Sequence, residues 1–276
     1  MRNKKNFILL FCFFFALQSC ESFLEETPYN KVTVGNFYTT KEGIEHGVNG
    51  AYSTLRGMYI SEWMIYLCEG PSDLWVTWAA PLAFQNWTFD ASTGEFYSMW
   101  SHSYSSINKI NSVLEVLETT SIADLQQSLA DRYIAELKFI RSLYYFHLVQ
   151  QFGDVPLKLN PTKTAETTSY RDSKEEVWKQ VISDLESCIN SLPERYPDTE
   201  YGRVTKYAAM HLLSKTYLTV KRNQDDLNKA LEYAEIIIQS GQYSLVGSHR
   251  DLWDINKKHN PEVIFPVLYT KNTELN

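Results

Sequence analysis

The chain has 276 residues, 44% of them hydrophobic, with 7 Trp, 18 Tyr and 14 Phe and a formal net charge of −7. That is enough apolar chain for one or two folded domains, and it excludes collagen-like and disordered classes. Four Cys exclude a disulfide-dense miniprotein, and the acidic balance offers no basic footprint for nucleic acid.

The first segment reads as a leader. Arg2, Lys4 and Lys5 precede an apolar run over residues 7–17. That run is too short for a spanning helix, which needs about 20 residues, and its layout is that of a secretory signal. It closes in Leu17-Gln18-Ser19-Cys20, which resembles a bacterial lipobox. Residues 1–19 are therefore expected to be a lipoprotein signal peptide, with Cys20 the attachment site for diacylglycerol and acyl chains such as palmitate. Several acyl chains anchor stably where one does not, at about 0.8 kcal/mol per buried methylene. Residues 1–19 carry three Lys+Arg and no acid, so the chain from Cys20 has 23 basic against 33 acidic residues, a net charge of −10. Such a surface does not dock on anionic headgroups, which leaves anchoring to the acyl chains. Cys68 and Cys188 are the thiols that remain, and their spacing alone leaves open whether they pair.

Residues 20–276 read as helices joined by irregular segments. Ile44, Val48, Ala51, Tyr52 and Leu55 recur at helical spacing, and Met99, Ile107, Ile110, Val113, Leu114 and Leu117 mark a second helix over 95–117. A long third runs over 122–151 and stops at Gly153. Ser173 and Glu176 form a capping box before the stripe Val177, Val181, Leu185, Cys188 and Ile189. Thr205 caps a helix reaching about Lys221, and Ala230, Ala234, Ile237 and Ile238 line another that Gly241 ends. Strand signals are confined to 263–268 and 85–89. The expected class is all-α. Leu213-Ser214, Tyr217 and Ala230 follow the small-residue pattern of tetratricopeptide units, whose tight crossings need small side chains. Pairs at 122–152 with 173–192, and 205–222 with 227–240, fit a short right-handed solenoid with irregular loops and few short strands. The turn in the second pair is about four residues too long for a strict 34-residue repeat, so a generic helical bundle remains the alternative.

The search for reaction chemistry is negative. The six His never fall at metal-ligand spacing, and no P-loop, nucleophile elbow or dinucleotide fingerprint occurs. No metal, cofactor or catalytic residue is expected, and the protein is expected not to be an enzyme. One region stands out instead: five of the seven Trp fall in residues 63–100. Trp63 and Trp100 adjoin helices and are expected in the core. Trp75, Trp78 and Trp87 share an aperiodic stretch with Asp73, Pro71 and Pro81. They either pin that loop to the core or present flat indole faces to a ligand while carboxylates and amides bind its hydroxyls.

Residues 135–157, AELKFIRSLYYFHLVQQFGDVPL, resemble the signature segment of the SusD/RagB family. NFYTT at 36–40, VNGAY at 48–52, GRVTKYAAMHLLSKTYL at 202–218, SGQYSLV at 240–246 and EVIFPV at 262–267 match in the expected order. The resemblance implies a surface-exposed outer-membrane lipoprotein of nutrient uptake that is not an enzyme. It is built on tetratricopeptide-type pairs and acts as a lid on a SusC-like TonB-dependent transporter. Its ligand would be a glycan or, in some members, a peptide. An alternative is a structural or interaction subunit of the transporter complex with no ligand site of its own. By position, Trp75, Trp78, Trp87 and Asp73 are the candidate ligand contacts. Family members run to about twice this length, so residues 20–276 are expected to correspond to the N-terminal half.

Overall fold

The computed structural model describes residues 37–269 apart from 74, 77–81, 166–167, 255–256 and 258. The leader, Cys20 and Trp78 lie outside the described residues. Helix α1 (Lys41–Ile60) starts where the Thr40 hydroxyl accepts from the Gly43 amide at 3.1 Å. Ile44, Val48, Ala51, Leu55 and Met58, spaced by three and four, bury one face of it. A short α2 (Glu62–Cys68) and a single turn, α3 (Leu82–Gln85), lead to α4 (Gly94–Thr119). Helix α5 (Gln127–Phe152) is buried on nearly every side, and Gly153 at φ +68° ends it.

Helix α6 (Lys174–Cys188) is capped by Ser173, whose hydroxyl accepts from the Glu176 amide at 3.3 Å. Thr205 does the same for α7 (Lys206–Val220), accepting from the Ala208 amide at 3.2 Å. Asn223 caps α8 (Gln224–Gln239), accepting from the Asp226 amide at 3.0 Å. A final turn, α9 (His249–Leu252), follows.

From α4 to α8 each helix packs on its successor, while α1 lies against α4 and α5. This is the helix-pair stacking of tetratricopeptide architectures. In the α7–α8 pair the small side chains of Ser214 and Ala230 allow a close approach, and the Ser214 hydroxyl donates to the Ala230 carbonyl at 2.8 Å. One continuous core runs through the stack. Three consecutive helices are also tied by a buried polar link. Arg141 on α5 donates Nε and Nη2 to Asp184 Oδ2 on α6 (3.0 and 2.8 Å) and Nη1 to Asn111 Oδ1 on α4 (2.9 Å). A second buried carboxylate, Glu136, accepts from Tyr52, Tyr196 and Arg203 at 2.8, 3.0 and 2.8 Å. Both anchors fall inside the segment 135–157 that carries the family signature.

The differences from the sequence reading are local. Helix α5 begins at Gln127 rather than 122, because Asp124 sits at φ +61°, outside helical geometry, although Ile122 is still buried. Helix α8 starts three residues before 227, since Asn223 rather than a later residue caps it. The long turn that argued against a strict repeat thereby shrinks to Lys221–Asn223. Ile238, expected on the inner line, is 75% exposed. The inward face is set by Ala230 and Ile237, and the next residue lies about 100° further round. Among the described residues there is no strand, only an isolated bridge between Val155 and Asp172. Residues 263–268 meet no partner edge and pack by their side chains, with Phe265 edge-on to Phe139 at 5.1 Å. Residues 85–89 close α3 instead. Cys68 and Cys188 are both free: the first is exposed at the end of α2, and the second is buried against the Ala135 carbonyl at 3.1 Å.

One half-buried imidazole makes the fold sensitive to acid. His147 on α5 has Nε2 3.0 Å from the Tyr59 hydroxyl. Burial, helped by the Lys215 charge, lowers its pKa to about 4. The unfolded chain therefore takes up the proton first, and stability present above about pH 6.5 is lost as pH falls towards about 4. The loss is at most about 3 kcal/mol, and less where the ring edge meets water. Urea unfolding of wild type and H147Q from pH 7 to pH 4 is expected to show a shallower acid slope in the variant. Parallel slopes would remove His147 as the cause.

Candidate functional site

The Trp-rich stretch is organised by α3. Its only buried side chain, Phe84, inserts beneath the loop, and Gly70 at the end of α2 makes room for it. A Cβ at Gly70 would meet the Tyr66 carbonyl oxygen and lie 2.9 Å from Phe84 Cβ. Helix α3 closes with the Thr88 amide donating to the Ala83 carbonyl at 2.9 Å and with Trp87 at φ +55°. That position after a helix usually holds Gly, because a side chain there costs about 1–2 kcal/mol. Trp87 occupies it and projects its indole into solvent, 68% exposed.

The chain then turns through Asp90. Its Oδ1 accepts from the Ser92 amide and hydroxyl at 2.8 and 2.6 Å, and its amide donates to the Thr93 hydroxyl at 3.1 Å. Those bonds to Ser92 lower the Asp90 pKa and keep it ionised. The turn delivers Phe96, Tyr97 and Trp100 on the first turns of α4. Phe152, the last residue of α5, meets Trp100 edge-on at 5.2 Å and Phe96 at 6.2 Å.

These rings enclose an open cleft of about 520 Å³, bordered by Phe89, Asp90, Tyr97, Trp100, Phe152 and Arg171. Trp87 extends its wall, with its ring 6.1 Å from Phe89. Arg171 is held at the rim by the loop after α5. There the Asp172 amide donates to the Val155 carbonyl at 3.1 Å, and the Leu157 amide donates to Asp172 Oδ2 at 2.7 Å. Two smaller hollows, of about 310 and 280 Å³, flank Gly202. Arg203 borders both hollows and Tyr52 the larger of them, and both side chains are committed to Glu136.

Of the residues singled out in the sequence, Trp87 stands at this cleft. Trp75 is half-buried, its ring 6.3 Å from Tyr66 and edge-on, and Asp73 is exposed in the turn after α2. Neither borders the cleft. Trp78 lies outside the described residues. Trp100 packs on the core as expected and also lines the cleft. Phe89, Asp90, Phe96, Tyr97, Phe152 and Arg171 also border the site without having been expected there. The aromatic residues Phe89, Phe96 and Trp100 on either side of the turn were a signal in the sequence, whereas Phe152 and Arg171 reach the site only by tertiary packing.

The sequence model of the SusD-like family, described as starch-binding and associating with the outer membrane, matches residues 22–218. The chain belongs to the SusD-like family. A SusD-like relative, protein P25 of Formosa agariphila, is 26% identical over 97% of this chain and 52% of its own length. A SusD-like crystal structure from Bacteroides fragilis superposes with a TM-score of 0.70 at 26% identity, covering 84% of this chain and 45% of the other. A laminarin-binding SusD-like protein superposes with a TM-score of 0.71 at 27% identity, covering 83% and 51%. This SusD-like chain thus spans about half the length of the relatives it matches. The resemblance read from residues 135–157 and the tetratricopeptide-like fold are both confirmed. Among the described residues no helix is long and apolar enough to cross a membrane.

Proposed function

We propose that this chain captures oligosaccharide at the cell surface, tethered to the outer membrane through Cys20, and passes it to a SusC-like TonB-dependent transporter without chemical conversion. The observation that carries the proposal is the left-handed Trp87 beside a cleft walled by aromatic rings. Backbone strain is held at one residue, and its effect is to leave a large apolar face in water. Flat indole and phenyl faces complement the apolar faces of sugar rings, while Asp90 Oδ2 and the Tyr97 hydroxyl stand at the rim to bind hydroxyls. The laminarin-binding neighbour and the family's starch-binding description support a saccharide ligand. Trp75, Trp78 and Asp73 belong to the adjoining segment and stand as contacts for a longer oligosaccharide.

The test is Trp87→Gly on the purified chain. Glycine suits φ +55° better than Trp, so the variant is expected to keep or raise its melting temperature. Its affinity for oligosaccharides on a glycan array that also carries peptides is expected to fall about tenfold or more, the loss of about 1.4 kcal/mol of stacking. Unchanged affinity removes the platform. Capture of peptides alone replaces the saccharide reading, and silence to every ligand together with co-purification of a barrel transporter favours a purely structural lid.

A further inference from the structure

We propose that the aromatic cleft selects saccharides carrying an anionic group, a uronate carboxylate or a sulfate ester, through Arg171. The inference rests on the saccharide reading above and adds to it the charge class of the ligand. Two charged side chains border the cleft, and they differ in commitment. Asp90 has Oδ1 bound by both Ser92 donors, so half of that carboxylate already serves the turn. Arg171 forms no hydrogen bond or ion pair with any described residue, so none of these occupies its donors.

The backbone beneath Arg171 is nonetheless fixed. The Val155–Asp172 bridge and the bond from the Leu157 amide to Asp172 lie immediately after it, and the Lys174 amide is held by Asp154 Oδ1 at 2.9 Å. A guanidinium on a pinned backbone beside aromatic walls is a preorganised fork for a planar carboxylate or for two sulfate oxygens. A ligand stacked on the cleft rings would itself exclude water from one side of the guanidinium, which strengthens a charge-assisted bond relative to bulk solvent. A sugar with hydroxyls alone would cover the guanidinium and satisfy only part of its donors, at a cost. The chain carries a net charge of −7, so its overall charge supplies no general attraction for anions that could account for such selection. At physiological salt charges beyond about 8 Å are screened, which confines the selection to the cleft.

Calorimetric titration of the purified chain with three probes tests this: an oligogalacturonide, a sulfated galacto-oligosaccharide and a neutral gluco-oligosaccharide of similar length. One or both acidic probes are expected to bind at least tenfold more tightly than the neutral one, and to weaken between 0.05 and 0.5 M NaCl, roughly as screening shortens. Which acidic probe binds separates the carboxylate from the sulfate source. R171Q is expected to lose about tenfold or more towards the acidic probe and to stay within about threefold towards the neutral one, with R171K intermediate. Arg171 is exposed, and an unchanged melting temperature confirms that R171Q is folded. Equal binding of the acidic probe by R171Q, or preference for the neutral probe, overturns the inference. If Trp87→Gly still abolishes binding in that case, the saccharide platform survives without the charge selection. If no probe binds, platform and charge selection fall together.

Discussion

Asp184→Ala is expected to destabilise the fold by about 3–5 kcal/mol, because it leaves the Arg141 guanidinium buried without its counter-charge. Both side chains are under a tenth exposed, and Asp184 Oδ2 receives two of the guanidinium donors at 3.0 and 2.8 Å. The remaining bonds, from Nη1 to the Asn111 amide oxygen at 2.9 Å and to the Leu159 carbonyl at 3.4 Å, are to neutral groups and cannot offset a positive charge in the core. For a domain of this size each kcal/mol shifts the melting point by about 2–4 °C, so a fall of roughly 10 °C is expected. The double variant R141L/D184L removes both charges and should recover most of the loss, since an apolar pair of similar volume is often neutral there. Urea unfolding of the two singles and the double measures the coupling. A loss below about 1 kcal/mol in D184A would mean that water reaches the pair.

The helices were readable because their ends are written in short-range chemistry. Ser173 and Thr205 cap where side-chain oxygens meet the third amide on, and Gly153 and Gly241 stop helices at positive φ. What could not be read locally was decided by neighbours. Residues 263–268 form a short apolar run of the kind a buried strand shows, yet no strand edge among the described residues is available to them, and Ile264, Phe265 and Val267 pack on the helical core instead. Ile238 follows Ile237, and only the packing of α8 on α7 decides which of the two faces inward. The site divides the same way. Trp87 was legible from composition and an aperiodic context. The cleft beside it depends on Phe152 and Arg171, about 65 and 84 residues later; the packing of α5 on α4 brings Phe152 to Phe96 and Trp100, and Arg171 joins the rim from the loop after α5. Trp100 shows the limit of a binary reading, since its ring both packs against the core and borders the cleft.

Phe84→Ala is expected to cost about 3–5 kcal/mol at its own site, and to do so without loosening the helix stack. Phe84 is 1% exposed, and its ring lies 5.2 Å from Phe89, 5.9 Å from Phe96 and 6.4 Å from Tyr66. With Leu67 and Met99 it forms a buried cluster separate from the main core. The cleft wall therefore rests on a small foundation with its own opening equilibrium. Removing the ring leaves Phe89 and Phe96 without the surface that orients them and the Trp87 turn without its inner anchor. Amide exchange over residues 82–96 should accelerate a hundredfold or more, as expected for about 3 kcal/mol of local opening, while α5 to α8 keep their protection. Oligosaccharide affinity should fall in step, although Phe84 itself never reaches the cleft surface. Exchange rising equally in α5 to α8 would join the two clusters into one cooperative unit. Unchanged affinity with a melted 82–96 segment would move the ligand away from this cleft altogether.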